Sequence, residues 1–132
     1  MRRGVDVWAF ARGRATGPEA ALDDVLVIDL VAAALRTGAP IPRALQAVGA
    51  VCGSERLQRT GALLLLGAAW EEAWGDPEEW REGPPLPHAI LGRTLEPAWR
   101  DGANPVPLLQ RAAASLQARR DRSAREAAGR LG

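Results

Sequence analysis

The chain has 132 residues, 47% of them apolar, and a formal net charge of +1. That length suits one domain with a core of its own, and so small a charge leaves no global pull toward nucleic acid. A single cysteine, Cys52, excludes an internal disulfide and points to a reducing compartment, while one cysteine and one histidine are too few ligands for an ordinary zinc site.

Residues 1–19 read as an Arg-rich N-terminal tail. Arg2, Arg3, Arg12 and Arg14 surround Val5, Val7, Trp8 and Phe10, and Gly17-Pro18 ends the segment. A flexible lead and a short interfacial helix both fit it. It lacks the long apolar stretch of a secretory signal. No part of the chain reaches the roughly 18 uninterrupted apolar residues of a membrane span, so the sequence as it stands reads as a soluble chain.

Residues 20–132 read as helical. Alanine is abundant, whereas β-branched and aromatic residues are few apart from five tryptophans. The first helix is expected from about Glu19 to Arg36, with Leu22, Leu26, Leu30 and Ala33 as its inward stripe. It is apolar round most of its circumference, which marks a central helix. Asp29 interrupts it, either as a solvated edge or as one half of a buried ion pair, with a catalytic role a distant third. The second helix, about Pro42 to Val51, carries Ile41, Leu45, Val48 and Cys52 on one face, where the cysteine is a small hydrophobe. Gly53 stops it, and Ser54 suits the N-cap of a third helix, Glu55 to Leu66, that buries Leu57, Leu64 and Leu65. Gly61 weakens that helix slightly.

A fourth, short helix lies near Ala69–Trp74, and Asp76-Pro77 breaks it. Residues 75–86 are irregular. A fifth helix, about Pro87 to Arg100, turns Leu91, Leu95 and Trp99 to one side, and Pro97 should kink or restart it. The last begins near Pro105 and buries Val106, Leu109, Ala113 and Leu116. Beyond Ala118 the stripe ends, so the remainder should project.

One short phrase recurs at three of the joints: Gly38 to Leu45, Gly67 to Trp74 and Gly102 to Leu109. Each is Gly-Ala, four variable residues, then two apolar ones. Glycine takes the left-handed turn that ends a helix, proline is tolerated in the first turn of the next, and the apolar pair opens its buried face. The expectation is an all-α fold, a six-helix antiparallel bundle with short Gly/Pro turns and a long projecting C-terminal helix.

Signs of an enzyme are weak. The only histidine, His88, follows Pro87 at a helix start, where a cap or a surface residue is expected. No phosphate-cradling glycine loop is present, and no cofactor is expected. Charge is instead segregated. Residues 71–82 hold six acids, among them Glu71, Glu72, Glu78 and Glu79, against Arg81 alone, a net of −5. Residues 111–132 hold six arginines, among them Arg119, Arg120, Arg122 and Arg125, against Asp121 and Glu126, a net of +4. These two clusters are the candidate contact surfaces, and their opposite signs also allow a homo-oligomer assembled head to tail. The acidic stretch lacks the ligand spacing of a calcium loop. The basic end fits a solvated helix, a phosphate grip or a juxtamembrane segment.

Leu30 to Leu45, Leu66 to Trp74, Arg100 to Leu109 and Leu116 to Ala127, in that order and spacing, resemble the type II secretion system F domain family, closest to the short actinobacterial versions of tight-adherence pili. The match covers about residues 20–130. It implies a cytoplasmic six-helix block of an inner-membrane platform protein. That block is not an enzyme, and it couples a hexameric secretion ATPase to pilin assembly or extrusion. The implied partners are the ATPase and other platform subunits, with nucleic acid unexpected and the membrane reached through segments outside this chain. Pro97 and Asp101 depart from the family pattern. The alternative is a free-standing helical adaptor that binds an acidic partner or nucleic acid through its arginine-rich last helix.

Overall fold

A computed structural model describes residues 18–75 and 86–131, with side chains from residue 24 and from residue 87 onward in those segments. The expectations for residues 1–17 and 76–85, including Glu78 and Glu79, lie outside the described residues. Among those described there are six helices and no strand: α1 Pro18–Arg36, α2 Ile41–Cys52, α3 Glu55–Leu65, α4 Trp70–Trp74, α5 Leu86–Asp101 and α6 Val106–Leu131. Pro18, assigned to the tail above, opens α1 one residue before the expected start at Glu19, as suits proline in a first helical position.

The recurrent phrase is the same structural joint each time. Gly38 and Gly67 sit just past α1 and α3 with φ of 95° and 93°, a region glycine enters without a Cβ penalty. After α1, the Gly38 amide donates to the Leu35 carbonyl at 3.0 Å and the Ala39 amide to Ala34 at 3.4 Å; after α3, Gly67 donates to Leu64 at 3.1 Å and Ala68 to Leu63 at 3.0 Å. These are the two crossed bonds of a Schellman stop. The next residue, Pro40 or Ala69, is extended (ψ 151° and 154°) and caps the following helix. The third copy is a variant. Gly102 makes a single bond to Ala98 at 3.0 Å. One more residue precedes the new helix, where the Asn104 side chain accepts from the Val106 amide at 3.1 Å. That extra residue rotates the apolar pair: Ala44-Leu45 and Ala73-Trp74 are buried, whereas Leu108 is exposed and only Leu109 is buried.

All six helices meet in one core, whose fully enclosed members include Ile28 and Val31 of α1, Leu45 of α2, Leu91 and Leu95 of α5 and Leu109 of α6. Each such side chain contributes about 1.5–3 kcal/mol by leaving water. α1 lies against α2, α5 and α6, but on a different arc from the one expected. Val27, Ile28, Val31 and Ala32 are buried, Leu30 and Ala33 are half-buried, and Leu26 is exposed. Leu26, Asp29, Ala33 and Arg36 share one helical face, and the two charges turn that face to solvent. Asp29 is therefore a solvated edge.

Ser54 caps α3, its hydroxyl accepting from the Leu57 amide at 3.2 Å. Inside α3 the buried set is Leu57, Thr60, Gly61 and Leu64, and Leu65 faces outward. The Thr60 hydroxyl is satisfied within the helix by the Arg56 carbonyl at 2.9 Å. Gly61 is more than a weak point. A Cβ there would lie 2.5 Å from the Pro42 carbonyl oxygen, and one at Gly49 would lie 2.9 Å from the Gln58 amide nitrogen. These two glycines let α2 and α3 approach closely. Cys52 is half-buried rather than enclosed. α5 continues through Pro97 as one element; the proline is exposed, so the carbonyl its ring deprives of a donor is on the side that water reaches.

Candidate interaction surfaces

The short helix α4 sorts its residues by face. Trp70, Ala73 and Trp74 point inward, and Glu71 and Glu72 point out. Both glutamates stand in the first turn, where the helix dipole favours negative charge. Glu71 is engaged by Arg100 of α5, which also bonds Glu96 at 3.3 Å. The hydrogen bond to Glu96, followed by the charge of Glu71, raises the already high pKa of that guanidinium. Glu72 borders a cleft of about 200 Å³ with Arg56 and Arg59 of α3, Trp74 and Gly75. The structure thus holds half of the expected acidic surface on one exposed turn, already partly compensated by arginines.

What anchors α4 is aromatic. The Trp70 ring packs at a tilt against Trp74 and against Trp99 of α5, with centroids 5.2 Å and 5.6 Å apart, and the His88 ring lies 4.8 Å from Trp74. His88 is buried, only 3% exposed, and not the surface or cap residue expected from its position. Its Nε2–H donates to the Trp74 carbonyl at 3.0 Å. That carbonyl ends α4 and has no donor within its own helix, so the imidazole completes a helix terminus from a neighbouring element. Nothing in the local sequence around residue 88 announces a partner 14 positions earlier.

Burial holds the His88 pKa below its usual 6.5; the bond to Trp74 opposes that shift, and the Arg56 charge adds to it. The unfolded chain therefore binds a proton more readily than the native one. Stability linked to this group is complete above about pH 6.5 and is lost as pH falls through the lower native value. Urea titrations should show the wild type losing stability between pH 7 and pH 5 in excess of His88→Gln. Parallel curves would show that the imidazole is not buried neutral.

The basic cluster divides. Arg119, Arg122 and Arg125 are exposed along α6, and every residue from 121 to 131 is exposed. Arg120 instead turns toward α1 and pairs with Asp24 at 2.7 Å, both side chains largely covered, so it belongs to the packing of the helices. Gln117 bonds Asp121 at 3.0 Å one turn on, and the alanine-rich remainder has the propensity to stay helical without a packed face.

Arg119 also reaches an open groove of about 400 Å³ between α5 and α6, floored by Ile90, Pro97, Leu108 and Ala112, with Arg93, Thr94 and Ser115 along it. Asp29 borders neither this groove nor the cleft beside α4. Among the described residues no group of three His, Cys, Asp or Glu side chains could hold a metal ion, and no helix is long and apolar enough to cross a membrane. Comparison with protein-family models, with curated proteins and with solved structures finds no match.

Proposed function

We propose that this chain is the cytoplasmic helical block of an inner-membrane platform protein of type II secretion or type IV-like pilus machines, transmitting the motion of a secretion ATPase to pilin assembly. The observation that carries this reading is the recurrent joint. Three of the four segments on which the resemblance rests span the stop of one helix and the start of the next, at Gly38, Gly67 and Gly102. In this reading the six helices, folding back at these joints and at the turns between them, form an antiparallel bundle from which the last turns of α6 project. A block of this kind works by contact and not by a catalytic site. Its partners are the ATPase, neighbouring platform subunits and a second copy of itself, and it reaches the membrane through segments outside this chain.

Arg122 and Arg125, exposed on α6 beyond its packed face, are the business end in this reading. In a host whose pilus platform carries the chain, Arg122→Glu with Arg125→Glu should abolish pilus display while the protein accumulates normally, because both positions are exposed and hold nothing in the core. Normal piliation in that variant would remove the proposal.

A further inference from the structure

The groove between α5 and α6 has a composition that neither packing nor solubility requires. On α6, Leu108, Ala112, Ser115 and Arg119 fall at successive three- and four-residue steps, so they form one continuous face. α5 supplies Arg93, Thr94 and Pro97 opposite. Leu108 is 41% exposed, an apolar side chain left open because the third joint carries its extra residue. Among the described residues two arginines rim this apolar floor and no acid does, and neither Arg93 nor Arg119 has a hydrogen-bonding or ion-pair partner there.

We propose that this groove docks an acidic amphipathic helix of a partner protein, its apolar side on Leu108 and Pro97 and its carboxylates on Arg93 and Arg119. The shape selects a rod. From 108 to 119 the α6 wall runs about 16 Å, three helical turns, and a trough between two helices accepts a third by the helix-in-groove mode. The charge selects the sign, since two guanidiniums with no partner among the described residues offer bidentate bonds to carboxylates. A membrane surface would meet a convex basic face, and a nucleic acid backbone would have no use for an apolar floor. Thr94 and Ser115 can bond to either flank of the incoming helix. The groove's chemistry does not depend on the platform role, which is tested at Arg122 and Arg125, outside it.

The probe is a synthetic peptide of about three helical turns, leucines along one face and glutamates on both flanks, titrated into the isotope-labelled full chain and followed by amide NMR shifts. Shifts should be confined to the segments around 90–97 and 108–119. Peptides with glutamine or lysine in place of glutamate should bind at least about ten-fold more weakly, as should the Arg93→Glu/Arg119→Glu variant toward the acidic peptide. Both substitutions are on exposed positions, and unchanged thermal unfolding by circular dichroism verifies the variant's fold; the glutamine peptide makes the same test on the unaltered protein. The proposal is overturned if the three peptides bind alike, if shifts fall outside the groove, or if the groove signals move instead on protein dilution or on adding phosphatidylglycerol vesicles, which would assign it to a second copy or to lipid.

Discussion

Trp74→Ala should be the most damaging single truncation near α4, lowering stability by about 3–5 kcal/mol, a large share of the 5–15 kcal/mol typical of a domain. The indole is 2% exposed and sits between Trp70 and His88. α4 has five residues, far too few to hold a helix by its own hydrogen bonds; it persists because Trp70, Ala73 and Trp74 are seated in the core. Removing the second indole takes away that seat and leaves the buried imidazole facing a void. Trp74→Phe makes the sharper comparison. The indole nitrogen is buried with no hydrogen-bond partner, so phenylalanine loses area but also removes an unsatisfied donor, and it should cost well under half as much. Trp99→Ala, at a side chain 39% exposed, should also be the milder change. Urea unfolding followed by far-ultraviolet circular dichroism orders the three. If Trp74→Ala and Trp99→Ala unfold at the same urea concentration, the aromatic seat is not what holds α4.

Gly61→Ala should destabilise although alanine is the better helix former. The intrinsic gain is about 1 kcal/mol. Against it stands a methyl group placed 2.5 Å from the Pro42 carbonyl oxygen and 2.7 Å from Cγ of Gln46. The glutamine can swing away, but the carbonyl is backbone, so α2 must move relative to α3. Overpacking of this kind typically costs about 1–3 kcal/mol, occasionally more, and the net effect should be a clear fall in the thermal midpoint. The same exchange at Gly129, inside α6 with nothing within 4 Å, should leave stability unchanged or slightly raised. A Gly61→Ala protein as stable as the wild type would mean that the α2–α3 contact is looser than described.

The order and type of the helices were legible because their ends are written in local chemistry. A glycine that must take positive φ, a serine cap and prolines at helix starts are each decided by a few neighbouring residues, and Gly38, Ser54 and Gly67 behave as their surroundings dictate. Facing is a different matter. In α1 nearly every position is apolar, so periodicity carries little information; Asp29 and Arg36 held the signal that Leu26 looks outward and that Ala33 is only half-buried. Gly61 reads as a blemish until a second helix is laid across it. His88 and Arg120 show the same limit in the interaction surfaces. Their roles depend on the Trp74 carbonyl and on Asp24, 14 and 96 residues away, and no local pattern encodes such pairings. The exposed arginines beyond Ala118 were legible for the opposite reason, since a stripe that simply stops needs no partner to be seen.

Docking to a secretion ATPase through the basic helix end is the step on which the proposed role rests, and sedimentation of the purified chain with the purified ATPase hexamer of the same host measures it. The proposed role requires co-sedimentation that weakens with added salt, disappears in Arg122→Glu/Arg125→Glu, and is not displaced by duplex DNA. No association with the hexamer, together with salt-sensitive binding to DNA through the same two arginines, would contradict it and point to a free-standing adaptor.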